Sequence, residues 1–303
     1  MNDLAKLLTE FTLNDNGYTE TKLPGVRLFR GIKYFPRKPV VYEPGICIVV
    51  QGRKVGYLGG EMFAYNAGNY LVTSVTIPFE CETFASPEEP LLGIYIDVNM
   101  EQLHGLIGQL GAHGPVLNAH QKTLQRGIGA AKMEDDMQEA VYRLVKCLQS
   151  ELETKVLGAD LIKEILFRAL LGDQASVLYS LATQQGNFAQ VSQSLRLMQQ
   201  KFSEKLDVDQ LAQAANMSAS TFHKAFKEVT TESPLQYLKK LRLNKARYLM
   251  LRENTKAYIA AFEVGYESPS QFSREFKRYF GQSPAEAIRE ERPMHARQSS
   301  MSN

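Results

Sequence analysis

Ser218-Ala-Ser-Thr-Phe222-His-Lys224-Ala-Phe226-Lys227 recurs fifty positions later as Ser268-Pro-Ser-Gln-Phe272-Ser-Arg274-Glu-Phe276-Lys277. The echo continues downstream, with Ser233-Pro234 against Ser283-Pro284. A period seen only twice is a module used in tandem, since a solenoid needs three or more stacked repeats. Each copy reads as a short helix. Phe222 and Phe226, like Phe272 and Phe276, are four apart and share one face. That leaves Ser220, His223, Lys224 and Lys227 in the first copy, and Ser270, Ser273, Arg274 and Lys277 in the second, on the side away from the core. Apolar anchors behind and hydrogen-bond donors in front are what a helix needs to enter a DNA major groove.

The flanking residues complete two helix-turn-helix units. Asp207 is placed to cap a helix over Val208–Ala215, and Asn216-Met217 turns the chain into the first repeat, capped by Ser218. In the second unit a helix starting at Asn254 or Thr255 carries Ala260-Ala261. Val264-Gly265-Tyr266 makes its turn, glycine supplying a positive φ, and Ser268 caps the second repeat. Between the units, Leu235 to about Leu251 reads as one helix bearing Lys239, Lys240, Arg242, Lys245 and Arg247. Its ~17 residues span ~25 Å, a scale that suits two recognition helices one DNA turn, ~34 Å, apart.

Charge is distributed unevenly. From residue 191 onward there are 18 Lys and Arg against 12 Asp and Glu, so the other 190 residues are acidic and the chain as a whole carries only +2. Only the basic part is suited to a polyanion. Cys47, Cys81 and Cys147 are sparse and odd in number, which argues against a disulfide framework and for a reducing cytoplasm. Met1-Asn-Asp-Leu-Ala-Lys has no long apolar run, so no signal peptide is expected. No stretch approaches the ~18 apolar residues of a membrane span.

From Leu23 to about Val98 the pattern is β. Val26–Phe29, Ile46–Gln51, Val55–Leu58, Met62–Tyr65, Tyr70–Val75, Glu80–Phe84 and Leu91–Val98 are short β-branched and aromatic runs separated by turn residues. That spacing predicts a small double-sheeted barrel of jelly-roll type. Cupin enzymes hold a metal with barrel histidines. Here His104, His113, His120, His223 and His295 all lie outside the strands, so neither a metal, a cofactor nor an enzyme is expected. Binding is the remaining task for such a container. Tyr42, Val49, Gln51, Tyr57, Phe63, Tyr65, Tyr70 and Tyr95 are the candidate lining residues, subject to a register in which one residue of slip inverts every assignment. Cys47 and Cys81 are alternative sensor thiols, although Glu80 and Glu82 beside Cys81 disfavour a thiolate there.

Helices follow. Asn99–Leu110 is one, and a Gly-rich loop runs over 111–115. Met137, Val141, Leu144, Val145, Leu148 and Leu152 form a helical stripe. After Gly158, Ile162, Ile165, Leu166, Ala169 and Leu170 form another. Such stripes pack on the barrel or against a twin chain. Residues 172–187 read as a loop-rich connector, with a further helix from Val191 to about Phe202.

The region from about 190 to 292 resembles the DNA-binding domain of AraC/XylS-type transcriptional regulators. Leu211-Ala…Met217-Ser-Ala-Ser-Thr-Phe-His-Lys-Ala-Phe-Lys and Ala260-Ala-Phe-Glu-Val-Gly-Tyr…Gly281-Gln-Ser-Pro284 carry the likeness. Tyr42-Glu-Pro-Gly-Ile-Cys-Ile-Val-Val-Gln-Gly-Arg-Lys54 and Asn69-Tyr-Leu-Val-Thr-Ser resemble the cupin-like sensor domain of one subgroup. The resemblance implies an α+β chain in two domains. Residues 1–185 would be a cupin-like β-barrel with trailing helices, for effector binding and dimerisation. Residues 190–292 would be an all-α tandem helix-turn-helix domain, and 293–303 a disordered tail. It implies base-facing positions at Ser220, His223, Lys224, Ser270, Ser273 and Arg274. Pro269 also falls on such a position but has no donor to offer. The partners it implies are double-stranded promoter DNA, a small-molecule effector, RNA polymerase and a second copy of the chain.

Overall fold

The computed structural model describes residues 3–111, 127–182 and 186–289. His113, His120, His295, most of the expected 111–115 loop and the 293–303 tail lie outside them. The chain forms two compact units that change over at Ala189–Gln190.

The first unit begins with helix α1 (Asp3–Thr9). Strands β1 (Gly17–Glu20), β2 (Val26–Gly31), β3 (Phe35–Tyr42), β4 (Gly45–Gln51), β5 (Arg53–Leu58), β6 (Glu61–Asn66), β7 (Asn69–Thr73), β8 (Ile77–Phe84) and β9 (Leu91–Asp97) follow. Helix α2 (Met100–Leu110), strand β10 (Ile128–Lys132) and helices α3 (Asp135–Cys147), α4 (Glu151–Leu171) and α5 (Ala175–Ala182) complete it. The strands make a six-stranded sheet, β1-β2-β9-β4-β7-β10, and a four-stranded sheet, β3-β8-β5-β6. They remain two sheets and do not join into one closed barrel, the open form of the cupin-like expectation.

All seven expected strands are present. The strands with no sequence signal, β1, β3 and β10, all lie at sheet edges. β3 contains Pro36 and Pro39, which lack a ladder donor and are tolerated where one strand face is unpaired.

Alternation fixes what each face does. Along β4, Ile46, Ile48 and Val50 join the core beneath the helices, as do Leu92, Ile94 and Ile96 of β9 and Tyr70 and Val72 of β7. Cys47 and Val49 therefore point the other way, toward the small sheet, whereas a bulge between Val49 and Gln51 interrupts the alternation before Gln51. The helical stripe Met137, Val141, Leu144, Val145 covers the outer face, with Ile162, Ile165, Leu166, Ala169 and Leu170 of α4. Both stripes are thus spent on packing within the chain.

Three helix expectations of the first unit are corrected. Leu152 does not belong to the first stripe, because the helix breaks after Cys147 and Ser150 caps α4, accepting from the Glu153 amide. Gly158 lies inside α4, where a Cβ would press on the Leu23 side chain, 2.8 Å from Cδ1. Most of the connector at 172–187 is helix: Val177 and Leu178 of α5 are buried in the core of the first unit.

Helix α6 (Gly186–Gln200) spans the change-over. The second unit continues with α7 (Val208–Ala214), α8 (Ala219–Thr230), α9 (Pro234–Arg252), α10 (Ala257–Glu263) and α11 (Pro269–Phe280). Asp207 and Gln210 form a reciprocal capping box at α7. Asn216 takes φ 52° in the following turn. α10 starts at Ala257, later than expected, because Asn254 adopts φ 58° and cannot begin a helix.

Candidate functional sites

α8 and α11 present the doubled stretch as anticipated. Phe222 and Phe226 are fully buried, with ring centroids 5.4 Å apart, and Phe226 meets Tyr237 of α9 edge-on at 5.5 Å. Phe272 and Phe276 repeat the pair at 5.5 Å, and Phe276 meets Phe280 at 4.4 Å. Ser220, His223, Lys224, Lys227, Ser270, Ser273, Arg274 and Lys277 are all exposed. Ser268 caps α11 by accepting from the Gln271 amide, and Pro269 occupies the first turn, where it has no amide to lose. Glu275, next to Arg274, turns inward to Tyr266 Oη at 2.9 Å and Lys239 Nζ at 3.2 Å. Among the described residues Arg274 has no ion pair, so its guanidinium stands ready for an external acceptor.

Several basic residues of the linker helix are used differently. Arg242 donates to the carbonyls of Phe202 at 2.6 Å and Glu204 at 2.7 Å. Lys239 holds Glu275, and Lys240 holds Glu232 at 2.5 Å. These cations brace the unit. The basic excess counted from the sequence therefore overstates the charge available to a polyanion.

The helix joins the two units of the doubled stretch. Tyr237 and Leu238, in its first half, are buried, Tyr237 against Phe226 of the first helix-turn-helix. Leu243, Ala246 and Met250, in its second half, share a core with Ala260, Ala261, Val264, Phe272 and Phe276. At ~1.5 Å per residue it is ~28 Å long.

The interior between the two sheets is the second site. Tyr42, Phe63, Tyr65 and Tyr95 all face it. Tyr42 meets Phe79 at 4.9 Å and Tyr95 at 5.9 Å, while Phe63 stacks on Tyr65 at 6.0 Å. Strand glycines make the room: a Cβ on Gly56 would collide with the Phe63 ring, and one on Gly93 with Phe29. Tyr42 Oη and Tyr65 Oη are 3.1 Å apart, and Tyr65 Oη is 3.2 Å from Cys81 Sγ. Burial pushes both phenols well above their usual range. Val49 faces inward by alternation. Gln51 sits at a β-bulge, donates to the Pro90 carbonyl at 2.9 Å, and borders an open groove of about 620 Å³ with Arg53, Phe84 and Glu89.

Two lining assignments are overturned. Tyr57 projects from the outer face of the small sheet, donates to Glu82 at 2.9 Å and lies under the Arg37 guanidinium. Tyr70 belongs to the helix-covered core, its hydroxyl against Gly172. Each is one residue out of phase with the inward set, the inversion to which a period-two pattern is prone.

The same alternation alters the reading of the thiols. Cys47 and Cys81 are both buried, and burial pushes the Cys47 thiol up to about 11. Glu80 and Glu82 turn outward, to Arg37 and to Tyr34 and Tyr57, and do not face Cys81.

Sequence reasoning missed Phe29, Lys54 and Phe79 as interior residues, and Tyr18, an exposed ring edge-on to Phe29 and Tyr95. Lys54 pairs across the ladder with Tyr65, two positions from the Gly56–Phe63 pair. A strand glycine facing an aromatic was the available signal.

Residues 22–177 match the family model described as the AraC-type transcriptional regulator N-terminus, and residues 211–290 match that of a helix-turn-helix domain. The transcriptional activator RhaS of Escherichia coli O1:K1 is 29% identical over 150 residues, 48% of this chain and 52% of RhaS. The chain thus spans about half the length of the curated relatives it matches. In fold it is similar to apo ToxT of Vibrio cholerae, with TM-score 0.59 and 12% identity over 89% of this chain and 98% of ToxT. ToxT with an unsaturated fatty acid bound gives TM-score 0.56 at 12% identity, over 92% and 97%. With one family model covering over half its length, the chain belongs to the AraC-type transcriptional regulators.

Proposed function

We propose that this chain is a sequence-specific regulator that inserts α8 and α11 into two successive major-groove segments of promoter DNA. The observation that carries the proposal is the pair of exposed donor faces, each backed by two buried phenylalanines and both anchored on α9. Ser220, His223, Lys224, Ser270, Ser273 and Arg274 read base edges, and Lys227 and Lys277 neutralise phosphates. Residues 190–292 are the DNA-binding domain and 1–185 the effector and dimerisation domain. The effector is a small molecule received between the sheets by Tyr42, Val49, Phe63, Tyr65 and Tyr95, with Gln51 at the open groove beside the bulge. The fatty acid bound to ToxT, a protein of the same fold, supports that class of regulation. Likeness to RhaS favours activation, and hence engagement of RNA polymerase, in the cytoplasm.

With the two helical stripes buried, a second copy docks on the exposed apolar surface at the start of α4. Leu152 is 72% and Val156 63% exposed there, with Leu157 beside them.

Footprinting on an operator selected in vitro tests the proposal. Two protected major-groove segments one helical turn apart are expected, with affinity falling steeply as salt rises because bound phosphates release counterions. A single protected segment, or affinity indifferent to salt, refutes it.

A further inference from the structure

We infer that the effector is an organic anion, a monocarboxylate on an apolar or aromatic body, held by the Lys54 ammonium between the sheets. The inference rests on the reading of residues 1–185 as an effector domain and adds the ligand's charge and its anchor.

Lys54 lies on the inner face of β5, opposite Tyr65 of β6 and Thr83 of β8. Its Nζ sits 5.2 Å from the Tyr42 ring centroid, 5.5 Å from that of Tyr65 and 5.6 Å from that of Phe29. It donates to Tyr42 Oη. An ammonium has three protons to give, and a phenol and three ring faces are neutral partners. Among the described residues no carboxylate pairs with Lys54.

That isolation distinguishes it from its neighbours. Arg27, the other cation of the interior, stacks on Tyr18 and Tyr95 but is paired with Asp97. Arg37, on the outer face, is paired with Glu80. Of the two described cations of the interior, Lys54 is the one that brings an uncompensated charge among the rings. A partly desolvated ion is favourable only when an opposite charge and further hydrogen bonds complete its shell. Among the described residues no anion faces this ammonium, and a ligand can supply one.

The surroundings narrow the class. One cation matches one negative charge, so a dianionic phosphate would carry its second charge into the rings unpaired. Tyr42 and Tyr65 offer hydroxyls beside the ammonium, and burial keeps both protonated as donors to a carboxylate. An amine ligand would place like charges together. The ring faces around the ammonium suit an apolar body. Phe63 and Lys54 are only half-buried, so they are the members able to swing aside for entry.

The test uses the full chain and three matched probe series: hexanoate, octanoate and 3-phenylpropanoate; their primary amides; and the corresponding amines. Thermal midpoint and calorimetric affinity are measured for each with wild type, Lys54→Met and Lys54→Arg. The carboxylates should raise the midpoint, with the amides at least tenfold weaker. Lys54→Met should erase that preference and Lys54→Arg retain it. The acid-to-amide comparison on wild type needs no variant, so it decides even if one misfolds. Equal binding of acids and amides, or full carboxylate affinity in Lys54→Met, overturns the inference. Binding of amides or amines in preference to acids overturns it while leaving the effector reading intact. If no series binds, Lys54 is a structural pin and the inference falls, while the effector reading, which specifies no anion, stands.

Discussion

Replacing Arg274 by alanine should cost affinity for the operator without costing the fold. α11 is held by Phe272 and Phe276 on its opposite face, and both are buried. Glu275 is engaged with Tyr266 and Lys239, so no carboxylate is orphaned when the guanidinium goes. The loss is therefore confined to whatever Arg274 touches outside the chain. A bidentate guanidinium on a guanine contributes about 1–3 kcal/mol of discrimination. That corresponds to roughly a 5- to 150-fold rise in Kd on the operator.

The assay compares the selected operator with a scrambled duplex of equal length, each at several salt concentrations. The expected result is a large loss on the operator, a small one on scrambled DNA, and an unchanged melting midpoint. Equal losses on both, with the salt slope reduced by about one, would make Arg274 a phosphate contact and refute its role as a base reader. Arg242→Ala is the informative contrast. That guanidinium caps the Phe202 and Glu204 carbonyls inside the unit, so its removal should lower the melting midpoint and weaken binding to every sequence alike.

Gly265→Ala should unfold the second helix-turn-helix, because φ is +85° and the new methyl would strike the Ser203 carbonyl. Gly281→Ala, at φ +76° with open space around it, should cost only the ~1 kcal/mol of a left-handed residue; limited proteolysis separates the two, and equal resistance would contradict the packing argument. The double change Leu152→Asp, Val156→Asp should dissociate the proposed dimer in sedimentation without lowering the melting midpoint, since both side chains are exposed in the single chain. A variant that stays dimeric puts the interface elsewhere. Alkali should destabilise the first unit. Burial pushes Cys47 from 9.0 up to about 11 and Tyr70 from 10.0 up to about 12. The fold therefore keeps protons that the unfolded chain loses. Stability is full below pH ~9 and falls as pH rises through 11 and 12, by about 3 kcal/mol for each group. A melting midpoint constant from pH 8.5 to 11 would contradict this.

The second unit was legible because its signals are local. A capping Asp207, two phenylalanines four apart and a glycine at the turn each specify a conformation within a few residues. The one late boundary, at α10, came from Asn254, a residue that serves equally as a cap or as the left-handed position it occupies. The first unit was legible only in part. Its central strands declare themselves by composition, since both faces are covered. The edge strands β1, β3 and β10 have one partner each, and their sequences are correspondingly unremarked. Tyr57 and Tyr70 were misassigned because which face is inward depends on long-range pairing. Lys54 was overlooked because a lysine in a strand reads as solvent-facing until its ladder partner is known to be Tyr65.

The doubled stretch and the linker between them constrain each other. If α9 were only a spacer, its own sequence would need an apolar face on one side alone. Instead it buries Tyr237 and Leu238 early and Leu243, Ala246 and Met250 late, each set in a different core. Neither helix-turn-helix has a complete core without its half of α9. The two recognition helices are consequently fixed to one rod, and a rod does not lengthen or twist to suit the DNA. Under the proposed mode of DNA binding, spacing between the two half-contacts is thus part of what the chain reads, alongside the bases. The copies are free to diverge in their exposed residues, His223 and Lys224 against Ser273 and Arg274, because the rod and not their similarity sets the register.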